Sequence, residues 1–93
     1  MITHIVSILL QKDKKDKATL IVEALNHLPA KIDEIKYYEV GLNIANSPAA
    51  YDIVLISKFE NLKTLDTYRK HPAHVEVLDL IAKYKESSIV VDF

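Results

Sequence analysis

The stretch from Ile2 to Leu10, ITHIVSILL, limits the possible folds more than any other part of the chain, because it is apolar on two faces. Successive residues of a strand point to opposite sides of its sheet. The even positions here are Ile2, His4, Val6, Ile8 and Leu10, and the odd ones, Thr3, Ile5, Ser7 and Leu9, are also largely apolar. A strand of this kind needs cover on both sides. The rest of the chain has to supply one cover, and something else the other.

Downstream of this strand, helix-like and strand-like blocks alternate. Asp13 is placed to cap a helix by accepting hydrogen bonds from the free amides of its first turn. Ala18, Ile21, Val22, Leu25 and Leu28 then recur at helical spacing, and Pro29 ends that run. Residues Glu34 to Asn43 and Tyr51 to Phe59 read as two strands, joined through NIANSPAA, whose Asn, Ser and Pro mark a loop. So short a connection leaves no room for a helical crossover, so the pair is expected to form an antiparallel hairpin. Asn61 is placed to cap a second helix carrying Leu62, Leu65 and Tyr68. Pro72 interrupts that helix, a third helical segment is expected from Ala73 to Lys85, and Ser87 to Phe93 reads as a terminal strand.

The order β-α-β-β-α-β is the split βαβ pattern of an α+β, ferredoxin-like fold: an antiparallel sheet with helices on one face. Its helices cover one side of the first strand and leave the other bare. A chain of 93 residues, without cysteine and therefore without a disulfide, builds a core of marginal size, yet 49% of this one is hydrophobic. A second copy packed on the open sheet face resolves both problems, so the expected assembly is a homodimer formed by residues 1–93 as a single domain.

Charge and composition narrow the function. Twelve Lys and Arg against 13 Asp and Glu give a net charge of -1, which provides no footprint for nucleic acid or an anionic membrane. The run KDKKDK, Lys12 to Lys17, mixes signs and reads as a solvated helix start. The N-terminus has its apolar stretch before its basic residues, the reverse of a signal peptide, and cytoplasmic residence is expected. Gly41 is the one glycine, so neither a phosphate-cradling loop nor a dinucleotide fingerprint can be written, and no cofactor is expected. His71 and His74 stand three apart but lack further ligands in a metal-binding pattern, so no metal is expected either.

The residues best suited to chemistry lie in YRKHPAHVEVLDLI, Tyr68 to Ile81. His74 shares the register His74, Val77, Leu78 and Ile81 and is expected on the buried face of the last helix. A histidine there needs a hydrogen-bond partner, and burial lowers its pKa, leaving a neutral imidazole suited to general base work near neutral pH. If the even face of the first strand is the helix-covered one, His4, Tyr68 and His74 converge. The apolar pocket they imply is lined by His4, His71, Val6, Val77, Leu78 and Ile81. The plainer alternative is a hydrogen-bonded core histidine with a packing tyrosine beside it. His27 is placed to stabilise a helix C-terminus. Tyr37 and Tyr38 are accounted for as strand packing, Lys36 and Lys58 as solvent-facing or at the subunit rim, and Glu39 and Asp52 have no acid-base spacing.

With HPAH placed at a helix start, the chain resembles the stress-responsive A/B barrel domain (Dabb) family along nearly its whole length. The resemblance is carried by MITHIVSILL, LPAKIDEIKYYEVGLNI, SPAAYDIVLISKFENLKTLDTYRKHPAH and the closing SSIVVDF. Its most specific part is the Tyr-x-x-His-Pro-x-His spacing from Tyr68 to His74. The resemblance implies a dimeric α+β barrel in which two such sheets pack face to face. Among the family's plant members are stress-induced proteins and a polyketide cyclase that performs an aldol condensation without a cofactor. By that pattern His74 would be the general base, Tyr68 the partner that positions the imidazole or a substrate carbonyl, and His4 a pocket residue. A small apolar carbonyl compound is the ligand class implied. Related barrels carry monooxygenase and isomerase chemistry on the same frame, so the fold alone does not select a reaction.

Overall fold

A computed structural model describes residues 1–93. Strand β1 runs Ile2–Leu10, helix α1 Ala18–Asn26, β2 Tyr37–Leu42, β3 Ile53–Phe59, α2 Leu62–Lys70, α3 Pro72–Tyr84 and β4 Lys85–Asp92. All strand pairs are antiparallel, in the order β2-β3-β1-β4. The two central strands are thus the first and third, and the hairpin expected between Glu34 and Phe59 is present. This is the ferredoxin-like α+β arrangement. No helix is long and apolar enough to cross a membrane.

Register decides which side chains share a face. His4 lies opposite Ser57 and Asp92, Val6 opposite Leu55 and Val90, and Ile8 opposite Ile53 and Ser88. The helices pack on this even face of β1, where Ile8, Leu10, Ile53, Leu55 and Phe59 are buried against Ile21, Leu25 and Leu65. On the other face Ile5 stands opposite Ile56 and Val91, and Ser7 opposite Val54 and Ile89. Nothing within the chain covers this second face: Val91 is 58% exposed and Ile89 55%.

Local chemistry explains most element boundaries and several departures from expectation. At the start of α2 the Asn61 side chain accepts the Thr64 amide at 2.9 Å, and the Thr64 hydroxyl accepts the Asn61 amide at 3.2 Å, a reciprocal capping box. Asp13 caps nothing. Lys12–Lys17 winds as a 3-10 helix after Gln11, without a side-chain cap and with no buried residue to hold a wider turn. Helix α1 stops at Asn26, ahead of Pro29, which sits instead inside a 3-10 turn over Leu28–Ala30. Strands β2 and β3 are shorter at their ends than expected. Leu62, the first residue of α2, is 67% exposed rather than on the packed face with Leu65 and Tyr68.

Candidate functional site

Pro72 creates the site's geometry. Lacking an amide hydrogen, it ends α2 at Lys70, and His71 adopts an extended backbone (φ -60°, ψ 133°) that is at once the C-cap of α2 and the N-cap of α3. The His71 Nδ1 accepts the Ala73 amide at 3.1 Å. In an unbroken helix that amide would bond the Arg69 carbonyl four residues back. The carbonyl is free instead, and His74 Nδ1 takes it at 3.0 Å. His71 is therefore a joint between helices.

Tyr68 fills the space beneath this joint. Its ring is fully buried and lies 4.2 Å from the His74 ring at 39°, 4.9 Å from Phe59 and 6.3 Å from His4. Its hydroxyl is 2.9 Å from that of Tyr38 on β2. Burial pushes the Tyr68 hydroxyl up to about 12, with the Tyr38 bond acting in the opposite direction, and raises Tyr38 further. Tyr68 thus meets the His74 imidazole with its ring face, while its hydroxyl is engaged by Tyr38.

His4 reaches the cluster from β1. Its Nδ1 is bonded to Asp92 Oδ1, from the directly opposed residue of β4, while Asp92 Oδ2 receives Arg69 Nη2 at 2.8 Å. Ser57 donates its hydroxyl to the His4 carbonyl at 3.2 Å. Both imidazoles are buried, His4 at 6% and His74 at 8% exposure.

These partners fix the tautomers. A carbonyl oxygen only accepts, so His74 Nδ1 carries the hydrogen, and His4 Nδ1 likewise donates to a carboxylate. Neither ring's Nε2 has a partner within the chain, and neither is sealed away, since no buried side-chain nitrogen or oxygen lacks a hydrogen bond. Desolvation lowers the His74 pKa, the Arg69 carbonyl opposes it, and the neighbouring His4, Arg69 and His71 charges reinforce it. The imidazole is therefore a neutral acceptor at neutral pH.

The other expected residues divide. Val77 and Ile81 are buried, but Val77 faces α1, where it lines a cleft of about 250 Å³ with Ala24, Leu28 and Leu80. Leu78, expected on the buried face, is 46% exposed. At about 100° per residue it falls on the flank of α3 turned away from α1, beyond the strip buried by His74, Val77 and Ile81. Strand β4 follows α3 directly at Lys85, and its far end is tied to the end of α2 by the Arg69–Asp92 ion pair. Val90, on the helix-facing side of β4, is 52% exposed, and Val6 beside it is half-buried. Val6, Leu78 and Val90 are thus apolar side chains left partly open to solvent, Val6 and Val90 paired on the helix-facing side of the sheet. A second hollow, of about 280 Å³, lies around Ser7, Gly41 and Val54 on the open sheet face. Neither measured concavity contains His4, Tyr68 or His74.

Asp92, Arg69 and Tyr38 belong to the cluster without having been singled out in the sequence. The signal for Asp92 was its place on the terminal strand opposite His4, but the β1–β4 register also carries a shift between Leu9 and Leu10, near the start of β4. Such an irregularity leaves no mark in the residue pattern.

An antiparallel sheet with its helices on one face, and two buried imidazoles beside Tyr68, defines a ferredoxin-like domain of the A/B barrel type. Residues 2–93 match the profile of the stress responsive A/B barrel domain, and the chain belongs to that family. Its fold matches a dimeric protein of unknown function and ferredoxin-like fold from Bacteroides fragilis, with 37% identity and a TM-score of 0.89 over 99% of this chain and 93% of that one. A dimeric ferredoxin-like protein of unknown function from Thermobifida fusca is 27% identical, with a TM-score of 0.88 over 99% and 88% of the two chains. The hydroxynitrile lyase of Passiflora edulis shares the fold at 14% identity and a TM-score of 0.84, over 99% and 90%. An uncharacterised protein of Streptomyces coelicolor is 36% identical over 53 residues, a match spanning 57% of this chain and just over half, 55%, of that relative.

Proposed function

We propose that the chain is a small homodimeric barrel protein that binds a small apolar carbonyl compound beside His4 and His74. The carrying observation is the pair of Nε2 atoms, on His4 and His74, that have no partner within the chain, with the apolar Val6, Leu78 and Val90 left partly open to solvent. Two unpartnered ring nitrogens and open apolar side chains suit a molecule that is largely hydrophobic and carries an acidic C–H or enol hydrogen near its carbonyl. Dimerisation is supported by the bare apolar face of Ile5, Ile56, Ile89 and Val91, and by the dimeric state of the Bacteroides and Thermobifida proteins. Two such sheets packed face to face form the barrel.

The His74 tautomer favours a second reading, cofactor-independent proton transfer of the aldol or lyase type. With its Nδ1 hydrogen held by the Arg69 carbonyl, the neutral ring offers Nε2 as a general base. Such a base contributes about 10²–10⁴-fold to a proton abstraction. Tyr68 supports the ring from below in either reading.

Native mass spectrometry of protein purified from its own host without detergent tests the proposal. A dimer that carries a discrete apolar carbonyl compound is the expected result, and that compound is then assayed for turnover with wild type and His74→Ala. Loss of turnover with binding retained identifies a catalytic His74. A monomer in dilute solution overturns the assembly.

A further inference from the structure

Arg69 is the one residue that touches the supports of both imidazoles. Its backbone carbonyl accepts the His74 Nδ1 hydrogen at 3.0 Å, and its guanidinium holds Asp92 at 2.8 Å while the other oxygen of that carboxylate accepts from His4. We propose that Arg69 is the positioning residue of the site: through its main chain it fixes His74, and through its side chain and Asp92 it fixes His4. The proposal deepens the binding reading above and rests on it for its functional meaning, but the geometry it describes can be measured in the free protein.

Two physical arguments support the assignment. The carbonyl is available only because α2 ends at Lys70 and the Ala73 amide is bonded to His71, so the His74 anchor is a product of the break at Pro72. The carboxylate, for its part, lies at the end of an edge strand, with its side chain 26% exposed. Without a second anchor it would be free to rotate towards water, and a carboxylate held on both oxygens is oriented where one held on a single oxygen is not. The guanidinium supplies that second anchor from the last turn of α2, the same turn that presents the carbonyl. The spacing between the two imidazoles is thereby tied to the position of one helical turn.

The two halves of Arg69 can be separated by substitution, because a side-chain change leaves the carbonyl in place. The experiment records ring ¹⁵N resonances of His4 and His74 in histidine-labelled wild type, Arg69→Met and Arg69→Lys, without ligand. In wild type both rings are expected to show the well-separated nitrogen pair of a single Nδ1–H tautomer. In Arg69→Met the His4 pair should collapse towards a mixture of tautomers while the His74 pair stays separated. Arg69→Lys, which restores one donor to Asp92, should recover most of the His4 separation and keeps the test alive if the methionine variant folds poorly. Unchanged His4 resonances in Arg69→Met would overturn the proposal, as would equal disturbance of both rings, which would mark Arg69 as a general support of the helix. If the wild-type tautomers hold but no ligand is ever found, the binding reading fails and the positioning assignment stands.

Discussion

The hydroxyls of Tyr38 and Tyr68 meet at 2.9 Å between β2 and α2, and each is the other's buried partner. Tyr68 is fully buried, so removing its partner leaves a hydroxyl without solvent or protein to bond. Tyr38→Phe should therefore cost about 1–3 kcal/mol, whereas Tyr38→Phe with Tyr68→Phe removes both polar groups and should cost less than the sum of the single changes. Urea denaturation of the four proteins of this cycle measures the coupling. Additive losses would mean that the two hydroxyls do not depend on each other.

A second polar contact, partly exposed, sits at the far end of the sheet. Asp52 Oδ2 accepts the Leu10 amide at 2.7 Å and the Lys15 ammonium at 2.8 Å, while Lys15 also donates to the Leu10 carbonyl at 2.9 Å. Burial by itself raises the Asp52 pKa, but the Lys15 bond, the Leu10 amide and the Lys15 charge together outweigh it and hold the carboxyl below its usual range. A lowered carboxyl pKa contributes stability above the unfolded value, about 3.9, and loses it as pH falls through the folded one. Asp52→Asn should destabilise by about 1 kcal/mol at neutral pH, the ammonium being partly exposed, and should flatten the acid limb of a thermal melting profile. An unchanged acid limb would assign that limb to other carboxylates.

His74 gives pH dependence in a different window. Burial lowers its pKa, so the unfolded chain binds a proton there before the folded chain does. Its contribution to stability is complete above the unfolded value, about 6.5, and declines as pH falls towards the lowered folded value, no more steeply than about 1.4 kcal/mol per pH unit for one proton. His74→Gln, which keeps a side-chain amide donor for the Arg69 carbonyl, should remove this decline below about pH 6.5. Urea midpoints of wild type and variant across that range decide it. Parallel curves would place the titration elsewhere.

How much of this was readable in advance depends on whether a contact is local. The doubly apolar ITHIVSILL, the Asn61 cap and the break at Pro72 are consequences of neighbouring residues, and each appears where the pattern puts it. The inward face of His74 follows from helical periodicity alone. The same periodicity misplaced Leu78, because a face about 100° wide does not say which flank meets another helix and which is left open to solvent. Asp92 and Tyr38 were out of reach for a related reason. Their partners, His4 and Tyr68, lie 88 and 30 residues away, and only the strand register and the seat of α2 on the sheet bring them together.

The open face of the sheet makes the last prediction, and it bears on assembly. Val91 and Ile89 on β4, with Ile5 and Ile56 on the central strands, form an apolar surface that no helix of the chain reaches. A charge on an already exposed side chain costs the single chain little, since it can stay hydrated, but is strongly unfavourable between two packed sheets. Val91→Glu should therefore leave the far-ultraviolet spectrum unchanged and convert a dimer to a monomer in size-exclusion chromatography with light scattering. Val90→Glu is the control, because Val90 points to the helix-facing side of β4, and it should leave the dimer intact. If Val91→Glu remains dimeric while Val90→Glu dissociates, the copies meet along the helical side and the face-to-face barrel is wrong.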